Sequence, residues 1–146
     1  MPNREQSTDI KFATAIVPAV ATATVTSAAI SLAGYDAATV LFDIGNSADT
    51  LSGSVFWTLS LTECDTVGGT FTAVAAGDVA GGANSYVIDA PSEDSRVVTF
   101  GYTGSKPFIK GVVTKTGTHS SGTPIGILSA LGLASNAPVA NDTPSA

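Results

Sequence analysis

Along most of the chain, apolar and polar side chains alternate with a period of two, and runs of about ten residues are cut by Gly, Asn, Asp and Ser. In ATVLFDIGNS, Val40, Phe42 and Ile44 share one side while Leu41 and Asp43 take the other. In SGSVFWTLSLTECD, Val55, Trp57, Leu59 and Leu61 form a continuous apolar face opposite Phe56, Thr58, Ser60 and Thr62. Successive strand residues point to opposite sides of a sheet, so each segment predicts a strand with one face turned to a core. Further strands are expected over residues 22–33, 69–74, 85–90, 95–103, 108–117 and 124–134. Eight such runs with turn-forming joints predict an all-β fold, an antiparallel β-sandwich of seven or eight strands, immunoglobulin-like or jelly-roll-like. No window carries apolar residues at helical spacing beside a charged face, and one short helical turn is expected near AAGDVAGG, residues 75–82.

Both ends depart from this pattern. FATAIVPAV, residues 12–20, is apolar but interrupted by Pro18, and SNAPVANDTPSA, residues 135–146, has two prolines and almost no large apolar side chain. Residues 1–21 therefore read as an N-terminal arm, 22–134 as the sandwich domain and 135–146 as a flexible tail. In the arm, Phe12, Ile16, Val17 and Val20 are the side chains able to bury apolar surface on a partner. The start of the chain lacks the net positive charge of a secretory leader, since Glu5 and Asp9 offset Arg4 and Lys11. Thr and Ser recur too often in the apolar runs for a membrane-spanning helix.

With 146 residues the chain is one domain, large enough to bury a core without disulfides or a structural metal. Its lone thiol, Cys64, has no internal bridging partner. Charged residues make up 12%, well under the usual quarter or so, and the net charge is −6. The six basic residues are scattered among carboxylates, which argues against nucleic acid and anionic membranes as partners.

The candidate chemistry is sparse. His119, the single histidine, sits in the loop GTHSSGTP beside Ser120 and Ser121. A hydroxyl beside an imidazole invites a nucleophile-and-base reading, but no G-x-S-x-G elbow surrounds either serine, and the glycines and Pro124 give the loop the composition of a turn. It is expected to touch a partner, not to catalyse. Glu63 and Asp65 share a strand face and could converge on calcium, yet no loop supplies the six to eight oxygens that ion takes. Ser92, Glu93 and Asp94 read as a solvated turn, and Trp57 as core. Tyr35, Tyr86 and Tyr102, if gathered, would suit a glycan-binding module. No catalytic, cofactor or metal residue is expected.

Three segments in order carry a resemblance: LAGYDAATVLFDIG, DTLSGSVFWTLSLTECDTVGGTFTAV and DAPSEDSRVVTFGYTGSKPFIKGVVTKTGTHSSGTPIGILSALG. Together they resemble a family of small structural proteins of tailed bacteriophages and prophages, over roughly residues 22–134. The resemblance implies a non-enzymatic virion protein on the capsid surface, a decoration or cement protein that holds capsomers together in many copies, with a homo-oligomer among the expectations. The partner it implies is the major capsid protein, and a head-to-tail or tail component is the alternative place.

Overall fold

A computed structural model describes residues 5–142. Ten strands run in the order β1 (Lys11–Ala21), β2 (Val25–Thr26), β3 (Ile30–Ser31), β4 (Tyr35–Ile44), β5 (Phe56–Cys64), β6 (Thr72–Ala73), β7 (Ser85–Ile88), β8 (Arg96–Tyr102), β9 (Phe108–Thr116) and β10 (Thr123–Ala134). All pairings are antiparallel, in a four-stranded sheet of order β1-β10-β4-β8 and a six-stranded sheet built on β9 and β5. The short pairs β2 and β3 share the far side of β9, and β6 and β7 share the far side of β5. The fold is a β-sandwich with four strand positions in each layer. The helical turn expected near residues 75–82 is a single 3₁₀ turn, Ala76–Asp78.

The core lies between the layers, as the period-two pattern requires. Val40, Phe42 and Ile44 from β4, Trp57, Leu59 and Leu61 from β5, Ile88 from β7, Ile109 and Val113 from β9, and Ile125 and Ile127 from β10 are almost wholly buried. Phe42 meets Phe100 edge-on, with ring centroids 5.4 Å apart, an arrangement the aromatic quadrupole favours.

The ends of the chain correct the sequence expectation. Residues 11–21 are no free arm: they form the edge strand β1, paired along β10 from Lys11 opposite Leu131 to Ala21 opposite Thr123. The register shifts between Thr14 and Ile16 and again between Ile16 and Ala19, so two bulges break the alternation that would have marked a strand. Pro18 falls in the second irregular stretch, and an edge strand tolerates the missing N–H. Residues 135–142 are also held, not flexible. The Val139 N–H donates to the Thr8 carbonyl at 2.9 Å, and the Asn141 side chain donates to the carbonyls of Ser7 and Ile10, both at 2.7 Å, while accepting from the Phe12 N–H at 3.0 Å. Lys11 adds a bond from its ammonium to the Ala140 carbonyl. The remainder of the expected arm and tail, residues 1–4 and 143–146, lies outside the described residues.

The segment 22–33, expected as one strand, is split into β2 and β3. Ser27 lies between them, buried, its backbone N–H donating to the Gly111 carbonyl at 2.9 Å and its hydroxyl accepting from the Gly111 N–H at 2.9 Å. A side chain thus replaces part of the ladder against β9.

Candidate binding surface

The loop between β9 and β10 draws its shape from Asp49, which lies far away in sequence. The Asp49 carboxylate accepts the N–H groups of Ser121 at 2.9 Å and Gly122 at 2.6 Å, and the Ser120 hydroxyl at 3.4 Å. These bonds, those from the Ser121 N–H foremost, hold its pKa below the ordinary aspartate value. Gly117 closes the loop at φ +79°, where an added Cβ would run into the Ser54 carbonyl.

His119 is the residue this loop hides. Its side chain has no exposed surface, so the expected contact with a partner fails at that position. The ring packs on Trp57 with centroids 4.2 Å apart, and Nε2 donates to the Thr116 carbonyl at 3.1 Å. Nδ1 faces Asp49 at 3.8 Å without a hydrogen bond. Ser120 bonds Asp49 and not the imidazole, so the hydroxyl-imidazole pairing that a nucleophile needs is not formed. From the other side of Trp57, the indole N–H donates to Thr123 Oγ1 at 2.9 Å, and that hydroxyl donates to Ser47 Oγ at 2.9 Å. The Ser47 N–H in turn reaches Asp94 at 2.9 Å. Residues 47, 49, 94, 119 and 123 therefore form one polar clasp over the end of the core.

The other carboxylates singled out from the sequence have partners within the fold. Glu63 accepts the Tyr102 hydroxyl at 2.5 Å, and Asp65 pairs with the Lys106 ammonium at 2.7 Å. Burial, reinforced by the bond to Glu63, pushes the Tyr102 phenol far above its ordinary pKa, and the Asp65 bond raises that of Lys106. Glu93 accepts the Asp89 N–H at 3.0 Å. Among the described residues no group of three or more His, Cys, Asp or Glu converges as a metal site would require.

Of the three tyrosines considered for glycans, Tyr35 and Tyr102 meet in one groove of about 300 Å³ with Leu32, Asp36, Ser105 and Lys106. Tyr86 does not join them: it pairs opposite Leu59 on β5 and accepts a bond from Arg96 at 2.8 Å. Tyr102 is itself buried, with its hydroxyl occupied by Glu63 and by the Lys106 N–H at 2.9 Å, so it offers no open ring face.

What the molecule does expose is apolar surface. On β1, Phe12, Val17 and Val20 are 46%, 74% and 61% exposed. Ile16, grouped with them from sequence, turns inward opposite Ile127 and packs on the core, because the bulge flips it to the other side. The register carries the apolar character across the outer side of the four-stranded sheet. With Val40, Phe42, Ile127 and Phe100 inside, Leu41, Leu128 and Thr99 face out in one cross-strand row. Val97, 56% exposed, lies beside Asp43, the one charged strand residue whose register places it on this side between residues 12 and 132. The outer side of the six-stranded sheet is different in kind: Thr58, Ser60 and Thr114 bring hydroxyls, and the Lys110 ammonium lies 4.2 Å from the centre of the Phe71 ring. The two sides of the sandwich thus offer two chemistries.

No protein-family model, no curated protein and no solved structure matches this chain.

Proposed function

We propose that this β-sandwich is a non-enzymatic virion structural protein, a decoration or cement protein that seats on the major capsid protein at the outside of a phage head. The observation that supports the reading is strand β1, which beyond Lys11 carries no charge and holds Phe12, Val17 and Val20 out to solvent. A row of apolar side chains on a fixed strand meets a protein surface with little loss of conformational entropy, unlike a free arm. Many weak, identical contacts on a lattice then add to firm attachment. The bulges and Pro18 suit the same role, since they keep a long apolar edge from pairing indiscriminately with other strands.

The test is binding to heads of the encoding phage that have been stripped of outer proteins. Saturable binding in proportion to capsomers, lost with Val17→Glu and Phe12→Ser in folded protein, is the expected result. Binding to tails or connectors instead would assign the alternative position. A glycan-directed role rests on the groove between Tyr35 and Tyr102, and Tyr35→Ala tested by glycan-array binding separates it from the capsid reading.

A further inference from the structure

We infer that the open side of the sandwich, between β1 and the β2–β3 segment, is a binding site for a short aliphatic carboxylate. The inference does not depend on the virion reading, and Phe12, Val17 and Val20 take no part in the lining of this site. Packed sheets stand about 10 Å apart, a gap that large side chains from both inner faces must fill. Along β10 the buried inward row runs Ile125, Ile127, Ser129 and Leu131, so one position holds a small hydroxyl where a bulky aliphatic would be expected. Beside it, β1 offers Ala13 and Ala15, and the link between β2 and β3 offers Ala28 and Ala29. None of these is long enough to cross the gap. The result is a cleft of about 310 Å³ between the layers, at the lower end of the range for small-molecule sites. Ala13 and Ala28 are exposed, so the cleft opens to solvent at the two sheet edges.

Two polar groups in the lining have unused bonding capacity. Ser129 is buried, yet the only hydrogen-bond partner of its hydroxyl among the described residues is the Ala13 carbonyl at 3.5 Å. A good O–H···O bond measures about 2.5–3.0 Å, so this hydroxyl is free to take a ligand oxygen. Lys11 is the single charged side chain of the lining. Its ammonium donates to the Ala140 carbonyl and has no carboxylate partner among the described residues, although the chain holds twelve acidic residues to six basic ones. An ammonium carries three donors, which leaves two for an anion.

The lining selects the ligand class. Aliphatic walls take an aliphatic body, and a cation with a hydroxyl, in a lining that holds no carboxylate, takes a negatively charged oxygen head. One lysine balances one charge. A carboxylate meets that condition, whereas a phosphate monoester carries about −1.5 to −2.

The experiment is isothermal titration calorimetry of the full chain with octanoate, hexanoate, octanol and octylamine below their micellar concentrations. Variants are checked for folding by near-ultraviolet circular dichroism of Trp57. Octanoate is expected to bind one to one, more tightly than hexanoate because each buried methylene adds to affinity, and at least about tenfold more tightly than octylamine. Ala28→Leu and Ala13→Leu, both at exposed positions, fill the cleft and should each weaken octanoate by at least about tenfold. Lys11→Met keeps the aliphatic stem and should reduce octanoate to the affinity of octanol while octanol itself is unaffected, a change of selectivity that damage to the fold would not produce. Thr58→Glu, on the outer side of the other sheet, should bind as the wild type does. Should one leucine variant fail to fold, the other decides. No saturable binding of octanoate, equal binding of octylamine, or binding indifferent to the leucine variants would overturn the inference.

Discussion

Trp57 and His119, sixty-two positions apart in the chain, lie ring against ring at 4.2 Å with their planes 36° apart. The contact joins the middle of the core to the β9–β10 loop, so the loop's shape and the core's packing are not independent. Removing the indole should therefore be felt twice. Trp57→Ala is expected to destabilise the protein by about 3–5 kcal/mol through the lost burial and the residual cavity. The smaller change Thr123→Val, which leaves the indole N–H without its acceptor, should cost about 1–3 kcal/mol. Urea unfolding measures both, and an unchanged midpoint for Thr123→Val would mean that the 2.9 Å bond contributes nothing net.

Asp49 gives the clasp a pH signature. Its folded-state pKa is depressed, chiefly by the Ser121 N–H, so its stabilising effect is present above the unfolded value and is lost as pH falls through the folded one. Asp49→Asn should therefore be less stable than wild type at pH 7, and the gap should begin to narrow as pH falls through the unfolded-state value of about 3.9 and close only below the lower folded-state pKa, where the native carboxyl is protonated too. Denaturation midpoints across that range check it. A gap that stayed constant with pH would show that the carboxylate's charge plays no part.

Deleting residues 1–21 removes a strand, not an accessory. Without β1, β10 becomes an edge and the core side chains Ile125, Ile127 and Leu131 lose their cover. The truncated chain is expected to lose cooperative thermal unfolding in circular dichroism, whereas removal of residues 1–4 alone should preserve it. A shortened protein from residue 22 that still melted in a single sharp transition would mean that β1 is dispensable to the fold.

The sandwich was legible wherever the period of two was unbroken. Val40, Phe42 and Ile44 and, on the Trp57 face, Trp57, Leu59 and Leu61 needed only the alternation of side chains and are inward, whereas Val55, grouped with them, precedes β5 and is only half-buried. β1 escaped because its bulges reset the alternation twice within eleven residues, leaving Pro18 as the most visible feature. The clasp escaped for another reason. Nothing local distinguishes Asp49, in a stretch rich in Ser, Asn and Asp, from any other loop carboxylate; its role exists only once the loop seventy residues later is folded against it. His119 looked like a surface residue because its neighbours are those of a turn, and the partner that buries it, Trp57, lies on β5, with four strands between them in the chain. The outer apolar row was visible as Leu41 on the off-core side of its strand, but its continuity with Leu128 and Val97 required the register.

The pairing of β1 with β10 also sets an order of events during synthesis. Lys11 finds Leu131 only after almost the whole described chain has been made, and β10 must lie between β1 and β4 before the four-stranded sheet can exist. While the nascent chain is still emerging, FATAIVPAVA has no strand to join. The opening segment must wait, apolar and unpaired, until residue 134 is clear of the ribosome. Assembly of this sandwich is for that reason a late, long-range event, with the slow closure that such topology imposes.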